Sequence, residues 1–181
     1  AVGDWAFAQR NPLAEWWVHA RVPPVNQIAR RLHDGRDKVT RVVLVANVDT
    51  VLIVMGLDHD FNPRRLERYL AFTRLARVSA VAVLTKADLV DDVAPFKTAA
   101  RQLHPEVAIE CVDARNAAQL ALLRPWCTTG KTVALVGSSG VGKSTLINNL
   151  AEARQATAAA RAGDNKGRHT TTSRSLHPLK D

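Results

Sequence analysis

Apolar positions along this chain follow two different rhythms. In the first, Asp4-Trp5-Ala6-Phe7-Ala8 and Glu15-Trp16-Trp17-Val18-His19-Ala20-Arg21-Val22 alternate, with the turn-forming Gln9-Arg10-Asn11-Pro12-Leu13-Ala14 between them. Alternation with period two predicts a β-hairpin, placing Trp16, Val18, Ala20 and Val22 on one face and Trp17, His19 and Arg21 on the other. Such an aromatic and basic face can stack on nucleic-acid bases. The plainer alternative is a hairpin core with a solvated edge. Pro23 to Arg41 opens on two prolines and is rich in basic residues, which reads as a linker.

From Val42 onward the rhythm is that of strands alternating with helices. Residues 50–55 are a short β-branched strand, and Asn62 is a suitable N-cap before Pro63 at the first helical position. The helix that follows carries Leu66, Tyr69, Leu70 and Thr73 on one stripe. Further strands are expected at 80–84, 107–112 and 132–137, with helices within 92–103, where Pro95 suits a first turn, and around 116–123. Repeated β–α units predict an α/β fold with a mostly parallel sheet and helices on both faces. Residues 151–175, alanine-rich, polar and basic, read as a helix end followed by a mobile loop.

Composition changes the picture modestly. With 181 residues, 46% of them hydrophobic, the chain can bury a core as one domain or one domain with a small attachment. A net charge of +8 favours a polyanionic partner, although many basic proteins have none. Cys111 and Cys127 share no metal-ligand spacing with another Cys or His and read as reduced thiols of a cytoplasmic protein. There is no apolar run of the roughly 18 residues that a membrane span needs, and no signal peptide. The chain starts at Ala1 without a methionine, as a fragment would.

The strongest chemical signal is Gly137-Ser138-Ser139-Gly140-Val141-Gly142-Lys143-Ser144, which fits G-x-x-x-x-G-K-[ST] at every position. It lies between an expected strand and an expected helix that continues through Thr145. In that setting the backbone N–H groups turn inward toward phosphate oxygens, and the helix N-terminus adds positive dipole. Lys143 would span the β- and γ-phosphates, and Ser144 would take one Mg²⁺ position. The alternative is a Gly-Ser-rich turn that binds nothing.

Thr85-Lys86-Ala87-Asp88 ends another expected strand, on the edge where open parallel sheets bind ligands. A carboxylate there accepts from guanine N1–H and the exocyclic amine, whereas adenine would leave a buried Asp88 unpaired. The Lys86 stem would lie over the purine. After the next strand, Ala114 is placed to offer its N–H to the base O6, with Asp113 where serine is usual. A capped strand meeting an acidic helix start is the plain reading of the tetrapeptide. It would leave the phosphate loop to an ATP-dependent kinase or ATPase.

These motifs stand in a cyclically shifted GTPase order: base-reading Thr85–Asp88, then Val112-Asp113-Ala114, then the phosphate loop, then the threonine-rich Gly167-Arg168-His169-Thr170-Thr171-Thr172-Ser173-Arg174. In this order, and over essentially the whole chain, the sequence resembles the circularly permuted, ribosome small-subunit-dependent GTPases of the bacterial RsgA (YjeQ) family. The opening Ala1–Ala8 resembles the end of that family's OB-fold barrel. The resemblance implies a barrel remnant and linker over residues 1–35 and a permuted GTPase domain over 36–181. It implies GTP/GDP and Mg²⁺ as ligands, and the small ribosomal subunit and its rRNA as partners. It also implies a cytoplasmic monomer acting in late subunit maturation; the second reading is a nucleotide-gated rRNA-binding module with incidental turnover.

Thr171 or Thr172 would close over Mg²⁺ and the γ-phosphate as the first switch. His169 is the candidate for orienting the attacking water, or else a solvent-exposed loop histidine. The family's zinc site belongs to a C-terminal extension and is not assigned to this chain. The Asp-x-x-Gly that contacts the γ-phosphate is expected beyond residue 181. Asp164-Asn165-Lys166-Gly167 follows a polar alanine-rich run instead of a strand and reads as a decoy.

Overall fold

The computed structural model describes residues 1–33, 39–151 and 175–179. The expected hairpin forms from β1 (Ala6–Arg10) and β2 (Trp16–Arg21), antiparallel, with a register shift between Phe7 and Ala8. Asn11 builds its turn: the side-chain carbonyl accepts from the N–H of Leu13 and of Glu15, each at 2.9 Å. Neither face is buried. Trp16 and Trp17, on opposite faces, are 66% and 60% exposed.

The expected linker is a second hairpin instead. Within Pro23–Arg41 lies β3 (Gln27–His33), antiparallel to β4 (Val39–Ala46). Ile28 pairs with Val45 and Ala29 with Val43, so Leu44 is an extra residue in β4, and such a bulge breaks that strand's period-two pattern. Asn47, at φ 55°, closes this unit by accepting from Val25 N–H and donating to the Gly3 carbonyl, both at 2.8 Å. The chain divides into two compact units after Val48, whereas the sequence reading divided it after residue 35. The first unit's antiparallel strands agree in part with an OB-fold remnant.

The second unit is a four-stranded parallel sheet in the order β7-β6-β5-β8. Its strands are β5 (Thr50–Gly56), β6 (Ser79–Thr85), β7 (Ala108–Val112) and β8 (Val133–Val136). The helices are α1 (Pro63–Leu75), α2 (Ala94–Leu103), the short α3 (Ala117–Leu120) and α4 (Lys143–Leu150). The expected start of α1 is realised, with the Asn62 side chain accepting from Arg65 N–H at 3.1 Å and Pro63 opening the helix. Of its predicted stripe, Leu66, Leu70 and Thr73 are buried and Tyr69 is half-buried.

All seven residues of β5 are buried, as befits a central strand covered on both sides. Leu52, Val54, Val81 and Val83 join Leu120, Leu123 and Leu146 in one apolar cluster on the face of α3 and α4. On the other face α1 packs against β5, β6 and α2, and α2 against β7. The strand order turns back at β5, because β6 and β7 extend one way and β8 the other. Open α/β sheets bind their ligands at the carboxyl ends of strands beside such a reversal.

Candidate nucleotide-binding site

The loop between β8 and α4 is shaped by three glycines. Gly140 and Gly142 have φ of 76° and 96°, a region costly for a residue with a Cβ. At Gly137 an added Cβ would stand 2.2 Å from the Val54 carbonyl oxygen, so the loop starts in backbone-to-backbone contact with β5. Gly142 caps α4 without any side-chain oxygen, which leaves the positive helix end to the loop's hollow. Lys143 opens that helix. Its ammonium donates to the carbonyls of Gly137 and Ser138. Burial lowers the pKa of this amine, opposed by the carboxylate of Asp60.

The Thr85–Asp88 segment meets this loop directly. Thr85 is fully buried, and its hydroxyl lies 2.6 Å from the Val141 carbonyl oxygen and 3.1 Å from that of Met55. One proton therefore ties the end of β6 to the middle of the phosphate loop across 56 residues of sequence. Lys86 follows at φ 59°, and Ala87 and Asp88 lie in the 3-10 turn Ala87–Leu89. Asp113 and Ala114 follow β7, whose end is the neighbouring one on the same edge. The structure thus brings Thr85–Asp88, Asp113–Ala114 and Gly137–Thr145 to one edge of one sheet. His169, Thr171, Thr172 and Asp164–Gly167 lie outside the described residues.

Three side chains in this arrangement went unnoticed in the sequence. Arg115 donates to Asp88 at 2.5 Å and, through Nε, to Asp113 at 3.2 Å. Asp113 also accepts from Arg115 N–H at 2.9 Å; that bond, with the guanidinium, holds its carboxyl below the usual carboxylate range. This is what an aspartate does where a serine was expected. It also corrects the picture of Asp88, which is exposed and ion-paired instead of buried. Adenine would leave it with Arg115 and water as partners, which softens the penalty expected for an unpaired charge.

The other two, Asp58 and Asp60, sit in the loop after β5. Asp58 pairs with Lys86 at 2.5 Å, and Asp60 pairs with Arg65 of α1 at 2.7 Å. Their signal was available: polar Asp58-His59-Asp60 follows directly on the apolar run Val51–Leu57, at the carboxyl end of the strand.

Residues 24–181 match the family model described as RsgA GTPase. The chain belongs to the RsgA GTPase family. An RsgA relative, small ribosomal subunit biogenesis GTPase RsgA 2 of Vibrio parahaemolyticus, is 52% identical over 143 residues, 78% of this chain and 40% of that one. The Vibrio vulnificus protein of the same name is 47% identical over 99% of this chain and 50% of its own length. RsgA of Mesorhizobium japonicum is 43% identical over 99% and 51%. The chain therefore spans about half the length of the curated relatives it matches.

Among solved structures, YjeQ from Thermotoga maritima superposes with TM-score 0.62 at 23% identity, covering 82% of this chain and 50% of that one. YloQ, described as a circularly permuted GTPase, gives 0.59 at 23% identity over 83% and 49%. These two matches establish the fold: the sheet of this RsgA-family chain is that of a GTPase whose motifs follow one another in permuted order.

Proposed function

We propose that the protein binds GTP at the edge formed by β6, β7 and β8 and hydrolyses it during biogenesis of the small ribosomal subunit. The observation that carries this reading is the Thr85 hydroxyl bonded to the Val141 carbonyl, which supports one site by joining the two segments to which the base and the phosphates are assigned. Asp88 would pair the guanine edge, Lys86 would lie on the ring, and Ala87 and Ala114 would line the base beside Asp113. Gly137, Ser138, Ser139, Gly140, Val141 and Gly142 would wrap the phosphates, with Lys143 placing its charge between β and γ. The family's relatives carry small-subunit GTPase names, in keeping with this activity.

The donor set suits Mg²⁺ in the manner usual for nucleotide sites, with one protein hydroxyl, Ser144 Oγ, and the phosphates themselves. When bound, the ion would neutralise charge developing on the β- and γ-phosphate oxygens. Thr145 would add to the same helical turn. Thr171 or Thr172 would close over the γ-phosphate and His169 would orient water, roles that rest on the sequence resemblance.

Residues 1–35 are read as the barrel remnant and 36–181 as the GTPase domain of a cytoplasmic monomer. No helix among the described residues is long and apolar enough to cross a membrane. The exposed hairpin favours contact with ribosomal RNA. Trp5, Trp16 and Trp17 are open, and the Arg10 guanidinium lies over Trp16 at 5.1 Å from its centroid.

Single-turnover assays of the complete protein with GTP or ATP, with and without purified small subunits, test this reading. Acceleration of GTP hydrolysis alone by the subunit is expected. Subunit-independent turnover with GTP-dependent docking would favour the gated RNA-binding module, and equal use of ATP would overturn the guanine assignment.

A further inference from the structure

We propose that Asp58 is a positioning residue of the base site, anchoring the ammonium of Lys86 so that its stem is held as the wall over the purine; this rests on the base-site reading above. Lys86 has a left-handed backbone, which a residue with a side chain adopts only where its surroundings hold it. Its carbonyl accepts from Leu89 N–H at 3.0 Å, fixing the backbone, and its Nζ lies 2.5 Å from Asp58 Oδ2, fixing the far end. Both side chains are largely covered, at 24% and 18% exposure, whereas Arg115 in its pair with Asp88 is 70% exposed. A lysine tethered at both ends has few rotamers left to lose when a ring lands on it.

The anchor is itself built. Asp58 Oδ1 accepts from Asp60 N–H at 3.0 Å, and Asp60 is clamped by Arg65 at the start of α1. Gly56 makes the room: a Cβ there would come within 2.6 Å of Asp58 Oδ1 and 3.3 Å of Lys86 Cδ. The stem therefore passes close over a position where any larger residue would push both it and its anchor aside. Burial pushes the Asp58 carboxyl up, but the hydrogen bonds from Lys86 and from Asp60 N–H outweigh it, so the group stays below its ordinary value and charged. Without that negative partner the ammonium would be free to swing toward the nucleotide's phosphates.

The test is a double-mutant cycle in GDP affinity on the complete protein, using D58N, which keeps the shape, and K86M, which keeps an apolar stem without the charge. Each single change should weaken GDP by roughly five- to tenfold, the scale of one ordinary net hydrogen bond, because the pair acts on the nucleotide through the lysine stem. The double variant should be no weaker than either alone. Additive losses, or a lower melting temperature in D58N with unchanged GDP affinity, would show a structural role only and overturn the proposal. Should D58N fail to fold, K86M alone must still show the loss, and unchanged affinity in it overturns the proposal. Wild-type protein binding GDP no tighter than ADP would instead refute the base-site reading itself, and this inference with it.

Discussion

At the proposed phosphate end of the site, between β8 and α4, one contiguous octapeptide makes the shape from backbone: three glycines, a close approach to β5 and an uncapped helix start. At the base end, the Thr85–Asp88 tetrapeptide acquires its geometry from elsewhere. Lys86 is held by Asp58, 28 residues before it, and Asp88 by Arg115, 27 residues after it. Backbone cradles are local and unforgiving, whereas side-chain pairs are assembled across segments and each can be traded. Substitutions at the phosphate end should therefore be severe and indifferent to the base. Those at the base end should be milder and selective.

The severest expected effect is at Gly137. Gly137→Ala sets a Cβ against the Val54 carbonyl, so it should cost about 1–3 kcal/mol of stability, as overpacking does, and abolish binding of every nucleotide. Thermal unfolding with a GDP titration checks it, and retained affinity would break the contrast at its rigid end. Next comes Lys143→Ala, which removes a partly buried cation and should weaken GDP and GTP alike by about 1.5–3 kcal/mol with little change in melting temperature. Affinity preserved for either ligand would place the phosphates elsewhere.

Asp88→Asn should be milder, near about 1.5 kcal/mol for GDP because the carboxylate is exposed and already paired. Xanthosine diphosphate should gain, since its C2 oxygen accepts from the new amide. Competition titrations read both changes, and a loss shared by all nucleotides would make this residue structural. Smallest is Arg115→Ala. Its guanidinium sits on an open surface, so GDP affinity should move by less than about threefold. A larger change would mean that the base end depends on this pair as firmly as the phosphate end does on its glycines.

The same contrast explains what could be read from the chain beforehand. The phosphate loop, the Asn62 cap and the apolar run of β5 are local patterns, and each appears in place. The strand–helix alternation sufficed for the parallel sheet. The β3–β4 hairpin escaped because two prolines just before β3 suggest a linker and the extra residue Leu44 breaks the alternation of β4. Asp58 and Arg115 escaped because their partners are set by strand order, which no local pattern encodes. Even the exposure of Asp88 was hidden, since a carboxylate in this motif looks the same in sequence whether it is buried or ion-paired.

Direct titration of the complete protein with GDP and ADP under identical Mg²⁺ tests most directly whether the two ends form one guanine-reading site. The account predicts GDP binding tighter by at least about a hundredfold, the discrimination open to a site that hydrogen-bonds the groups one ligand has and the other lacks. Equal affinities would contradict it, leaving a phosphate loop with no base reader beside it.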